Sequence, residues 1–160
     1  MTASPAFFAR RTTFSFAPPV DDAAAWALEP DDFANRLLQA FPDAETWSEG
    51  AAGPLSRGGL GLGLGFELPL DGGDRLEGLV SNPFPEVGVV MVVHATAREA
   101  AVLARWLRDH YAPSPDLVHF TSEWALERDF TQYGCVPATG GLSDIARVLQ
   151  AHLDEVADCA

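Results

Sequence analysis

The chain has 160 residues, 48% apolar and 21% charged, which suits one domain with a buried core and excludes a disordered tail or a coiled coil. Its 23 acidic residues against 10 basic ones give a formal charge of −13, and every basic residue is Arg, so lysine Schiff-base chemistry and a P-loop lysine are excluded. Such a charge also argues against direct binding to a phosphate backbone, which needs basic groups to displace counterions.

The first eleven residues place Arg10 and Arg11 after a short apolar patch and lack the long apolar core of a signal peptide. The longest apolar stretch, Val87 to Val93 with one Gly inside, is far too short to span a bilayer. Cys135 and Cys159 stand apart, with no Cys-x-x-Cys, and fit unpaired thiols in a reducing compartment. The expectation is one globular domain over residues 1–160, cytoplasmic, with a flexible start of about ten residues.

Thr12 to Phe16 alternates β-formers and predicts a short strand closed by Pro18-Pro19. Residues 21–28 pass from acidic to Ala-rich and predict a helical turn around Trp26. Pro30 opens a better helix: Asp31 and Asp32 fall where the helix dipole favours anions, and Phe33, Leu37, Leu38 and Phe41 share a face. Pro42 stops it. Residues 43–59 read as loop, punctuated by Gly50, Gly53, Pro54, Gly58 and Gly59. Strict alternation follows. Leu60, Leu62, Leu64, Phe66, Leu68 and Leu70 share one strand face, while Gly59, Gly61, Gly63 and Gly65 leave the other bare. Asp71-Gly72-Gly73-Asp74 predicts a hairpin turn, with Arg75 to Val80 returning as the partner. Asn82-Pro83-Phe84-Pro85 predicts a second turn. Val87 to Val93, apolar on both faces, reads as a central strand covered on both sides.

Thr96-Ala97-Arg98-Glu99 is a capping box, and the helix it opens runs to about Tyr111 with Leu103, Trp106, Leu107 and His110 as its stripe. Pro113 and Pro115 break it. Leu117 to Phe120 predicts a short strand, Ser122 caps a brief helix through Phe130, and Tyr133 to Gly141 reads as irregular. The last helix, Leu142 to about Val156, is lined by Ile145, Val148, Leu149, Leu153 and Val156. This order predicts an α+β two-layer sandwich, a mostly antiparallel sheet of about five strands with three to four helices on its Leu-rich side. The strand at 117–120, reached through a helical crossover, is expected beside the one at 87–93 and parallel to it, making the sheet mixed.

No window of the Gly-Leu run matches Gly-x-Gly-x-x-Gly and no helix follows it, which argues against dinucleotide binding. The bare glycine face predicts either a close approach by a helix or a sheet edge open to a partner, a second copy of the chain included. His94, His110, His119 and His152 form no i, i+4 metal pair and have no Cys nearby, so no metal or cofactor is expected. His94 ends the predicted central strand and His119 lies on its expected neighbour, followed by Thr121, Ser122 and Glu123. A small hydrolase or transferase is one reading: Ser122 as nucleophile, His94 or His119 as base, Glu123 or Asp116 as orienter. Against it, no Gly-x-Ser-x-Gly elbow surrounds Ser122, whose position is that of a helix N-cap. His110 and His152 flank apolar stripes and read as half-buried or surface residues.

Residues 21–50 hold eight acidic groups and one Arg, and residues 112–160 hold eight and two. Trp106 lies on an amphipathic stripe and reads as core, whereas Trp26 and Trp47 sit inside the first acidic segment. A large aromatic among carboxylates fits an interface anchor, the ring burying area and the acids steering a basic partner. The alternative is a Trp that seals a loop onto the core. The balance favours a non-catalytic acidic binding protein that captures a basic protein, most concretely an immunity protein inhibiting a cationic toxin enzyme. A secretion or assembly chaperone is the variant in the same class. The expected footprint is Asp21, Asp22, Asp31, Asp32, Asp43, Glu45 and Glu49, with Trp26 and Trp47 as anchors. No membrane contact is expected.

Overall fold

Phe14 and Phe16 alternate with polar residues near the start of the chain, and burying both rings requires sheet on either side of them. The computed structural model, which describes residues 10–48, 62–84 and 86–158, provides it. Strand β1 (Thr12–Ala17) lies between β5 (Val87–Ala95) and β6 (His119–Ser122), antiparallel to both, and the two rings are fully buried. With β2 (Glu45–Ser48), β3 (Leu62–Pro69), β4 (Arg75–Phe84) and β7 (Gly134–Cys135), the described residues form a seven-stranded sheet in the order β2-β3-β4-β5-β1-β6-β7. The α+β class is as expected, with two more strands because β2 and β7 form inside segments read as loop. The expected mixed pairing is not made. β6 does run in the direction of β5, but β1 separates them and every ladder is antiparallel.

One face of the sheet carries the core. Leu64, Phe66, Leu68, Leu76, Val80, Val90, Val92 and Phe120 join Phe14 and Phe16 there, all buried. Three helices cover them: α1 (Pro30–Ala40), α2 (Ala97–Trp106) and α4 (Leu142–Asp158), with α4 packed along α2. A short α3 (Glu123–Glu127) follows β6. Helix α1 starts at Pro30 because the Glu29 carboxylate accepts the amides of Asp31 and Asp32, and it buries Phe33 and Leu37. The Thr96–Glu99 capping box forms in full at the head of α2. Past Trp106 the chain widens into a π turn, Leu107–Tyr111, which moves the register of the last turn. Arg108 consequently points inward and is buried, and His110, expected on the apolar stripe, is exposed.

Three further expectations change. β4 continues through Phe84, so the turn falls at Glu86, whose φ is 65°, and not at Asn82 to Pro85. β5 is central but covered on one face only: Val90 and Val92 are buried while Val93 is exposed. Among the described residues the glycine-faced strand β3 is flanked by β4 along its length and by β2 over Leu64–Glu67, so that part of it is no edge open to a second copy. Its residues before Leu62 lie outside the described ones, as do Glu49, Cys159 and the first nine residues with their expected flexibility.

At Gly65 a side chain occupies the bare face. Trp47, paired in register with Gly65, lays its indole where a Gly65 Cβ would stand, 2.2 Å from the nearest ring atom. On the core face Gly78 does the same for Phe66, whose ring lies 2.1 Å from a Cβ built there. The two sites differ in what can yield. Phe66 is fully buried, so Gly78→Ala is expected to destabilise by about 1–3 kcal/mol in urea unfolding. Trp47 is 37% exposed and can swing outward, so Gly65→Ala should change stability by less than about 1 kcal/mol while red-shifting tryptophan emission. Equal losses at both positions would show that the outer ring is as fixed as the inner one.

Candidate functional site

The Ser/His/acid arrangement does not assemble. His94 sits at the bulged end of β5 and His119 pairs with Ala17 at the other end of β1, about 13 Å of strand away. Asp116 is exposed and takes the Ser114 hydroxyl as its partner. Ser122 caps α3, accepting the Ala125 amide at 3.1 Å, as its sequence position predicts. Its histidine is His152 of α4, Oγ to Nε2 2.9 Å, and both residues are buried, at 0% and 7% exposure. The ring is enclosed by Phe120 and Phe130, edge to face at 5.1 and 5.8 Å. No sequence spacing links Ser122 to His152, thirty residues on; only the meeting of α4 with β6 does.

Burial lowers the His152 pKa, partly countered by Glu155, and keeps the imidazole neutral. The neutral ring and the Ser122 hydroxyl share one hydrogen bond, and the same oxygen accepts the Ala125 amide. The pair therefore ties β6, α3 and α4 together. Its folded-state pKa lies below the unfolded value near 6.5, so its stabilisation is complete above that pH and declines as pH falls beneath it. Urea unfolding between about pH 7.5 and pH 5 should show stability falling with acid, and His152→Gln should flatten that slope. A slope unchanged in the variant would place the dependence elsewhere.

One predicted pair shares a cleft. His94 and Glu123 line a space of about 370 Å³ with Arg11, Thr12, Thr13, Val93, Trp124 and Glu127. An extra residue on β5 opposite Thr13 creates the bulge that turns His94 there, and its φ of 51° is a conformation few side chains adopt. Arg11 holds the bulge, donating to the His94 carbonyl at 3.1 Å and pairing with Glu99 at 2.6 Å. Burial works against the Glu99 charge, but the Thr96 amide and Arg11 outweigh it and its pKa lies below the usual value. Among the described residues no cluster of His, Cys, Asp and Glu could hold a metal ion.

The expected footprint divides. Trp26 is 4% exposed; its indole donates to the Leu117 carbonyl at 2.7 Å and meets Tyr111 edge to face, so it seals a loop onto the core and cannot anchor a partner. Asp21 and Asp22 are exposed on a 3₁₀ turn, and Asp31 and Asp32 stand at the head of α1. Asp43 and Glu45 follow its far end, about 16 Å of helix away. Glu45 instead belongs to a row that the sequence reading missed. On the outward sheet face Glu45 stands opposite Glu67, and Glu67 opposite Glu77. Asp71 and Asp74 stand exposed in the adjoining hairpin turn. Against the three glutamates stands Arg75, which bonds Glu67 and lies 3.4 Å from Glu45. The next row inward holds Trp47, Gly65, Leu79 and Met91, with Val93 beside Glu77. This is an aromatic and aliphatic strip bordered by acid.

Among the described residues no helix is long and apolar enough to cross a membrane. Comparison with protein-family models, with curated proteins and with solved structures returned no match.

Proposed function

We propose that this chain is a non-catalytic acidic binding protein whose outward sheet face captures a basic protein, most concretely as an immunity protein that inhibits a cationic toxin enzyme. The observation that carries this reading is the Glu45–Glu67–Glu77 row beside Trp47. Like charges directly opposite one another on a sheet destabilise the isolated protein. One Arg relieves two of the three carboxylates, and a partner bringing guanidinium or ammonium groups would relieve the rest. The strip of Trp47, Leu79 and Met91 supplies apolar area at the centre of that surface, and the acids around it would accelerate encounter with a positive cleft. The revised footprint keeps Asp43, Glu45 and Trp47 and adds Glu67 and Glu77.

A pull-down from the native host identifies the partner, and association kinetics then test the surface. The triple change Glu45→Gln, Glu67→Gln, Glu77→Gln should lower the on-rate about tenfold or more at low salt and flatten its dependence on ionic strength. Trp47→Ala should act on the off-rate, raising it about thirtyfold if the indole is a central anchor. An unchanged on-rate in the triple variant counts against this face, and retention of an extended segment in place of a folded enzyme turns the reading toward a secretion or assembly chaperone.

A second reading, a small hydrolase or transferase using His94 with Glu123, is favoured by the strained backbone that turns His94 into a cleft. His94→Ala separates the two: it should leave capture of a basic partner intact and abolish any turnover.

A further inference from the structure

The helical layer leaves a second concavity, far from the acidic row in kind. A cleft of about 640 Å³ lies between the later half of α1, the end of α2 and the start of α4, a size typical of small-molecule sites. Its walls are apolar: Phe41 and Trp106 meet edge to face at 6.3 Å, flanked by Val102 and Leu142. Its rim carries Arg36, Gln39, Arg105, Asp109 and His110. In a chain of net charge −13, two of the ten arginines converge here with a histidine.

The arginines are not equally engaged. Arg36 donates to the carbonyls of His110 and Tyr111, stacks over the Tyr111 ring at 4.5 Å and stands 3.7 Å from Asp32. Arg105 has only a 3.8 Å approach to Asp109, whose carboxylate Arg108 already holds through two contacts of 2.7 and 3.2 Å. Arg108 and Asp109 balance, as do Arg36 and Asp32, which leaves the Arg105 charge in surplus at the mouth of an apolar cleft. The π turn completes the arrangement, turning Arg108 inward and His110 out onto the rim; such segments recur at functional sites.

We propose that this cleft binds a small organic monoanion, a carboxylate on an apolar, ring-sized body. The body lies against Trp106 and Phe41, and the carboxylate takes the fork of Arg105, with Gln39 and His110 as further donors. A single charge is preferred because the field of the whole molecule repels more highly charged anions. This site does not depend on the proposed partner surface.

The test is a titration of the isotope-labelled full chain with phenylpropionate, using neutral phenylpropanamide as the control, to about 10 mM, a range that reaches weak millimolar binding. The expected result is saturable shifts at the Trp106 indole and the Arg105 side chain with the acid. The amide should bind about tenfold more weakly, equivalent to ~1.4 kcal/mol. Arg105→Gln changes a side chain that is 51% exposed, so folding is not at stake, and it should weaken the acid about tenfold. Gln39→Glu, which sets a carboxylate across the mouth, should do the same. The proposal is overturned if the acid gives no saturable shift, if the amide binds equally, if Arg105→Gln binds as well as the parent, or if only an acidic peptide of several charges binds there.

Discussion

Arg108→Ala is expected to lower stability by about 2–4 kcal/mol, the cost of removing a buried side chain together with its charged hydrogen bonds. Arg108 is 6% exposed, and its fork does three jobs. It holds the Asp109 carboxylate at 2.7 and 3.2 Å, and it donates to the carbonyls of Pro137 at 3.1 Å and Gly140 at 2.8 Å. Truncation would leave those acceptors to water and detach the segment between β7 and α4 from the π turn. For a chain of this size the loss corresponds to a fall in Tm of about 4–16 °C. Arg108→Lys keeps the charge but cannot reach all three partners from one ammonium, so it should recover only part of the loss. Arg147→Ala is the control, since that pair is exposed at 3.5 Å and should shift stability by less than about 0.5 kcal/mol. The Arg108 hydrogen bond holds the Asp109 pKa below the usual carboxylate value. That contribution is present above the unfolded value near 3.8 and is lost as pH falls through the folded one. A loss in Arg108→Ala no larger than in Arg147→Ala would mean that the loop holds without this arginine.

Phe33→Ala should cost at least as much, about 3–5 kcal/mol, because the ring joins three elements and leaves a cavity between them. Phe33 is fully buried and meets Tyr111 at 5.2 Å, Trp106 at 5.4 Å and Phe66 at 5.6 Å. It is thus the contact of α1 with both the end of α2 and the sheet. Phe33→Leu restores most of the apolar area but none of the edge-to-face geometry and should cost about 1–2 kcal/mol. Because α1 depends on this ring, the alanine variant should also lose protection of the α1 amides in hydrogen exchange before the sheet is affected. If the sheet amides lose protection first, α1 is not the element that Phe33 secures.

The acidic row on the outward sheet face was legible in part. A hairpin symmetric about Gly72 places Glu67 opposite Glu77, and that turn was identified from Asp71-Gly72-Gly73-Asp74 alone. What hid the row was its third member: Glu45 lies in a segment whose prolines and glycines read as loop, and only its pairing with β3 makes it strand. Trp26 and Trp47 looked alike among their carboxylates. The first found the Leu117 carbonyl, ninety-one residues away, and the second found the empty space over Gly65. Neither outcome follows from neighbours in sequence.

Local chemistry was enough for the helices, the hairpin and the layered class. Capping residues, prolines and periodic apolar positions act within a few residues, so α1, α2 and α4 start and stop where their own sequences dictate. Strand order and site assembly are different, because they depend on contacts between residues far apart in the chain. β1 entered between β5 and β6 because Phe14 and Phe16 needed sheet on both sides. That insertion separated His94 from His119. The packing of α4 supplied Ser122 with His152, and the π turn exchanged Arg108 for His110 at the core. Each of these outcomes was settled by which burial satisfied the most apolar surface and polar groups at once, a condition that exists only when the whole chain is folded.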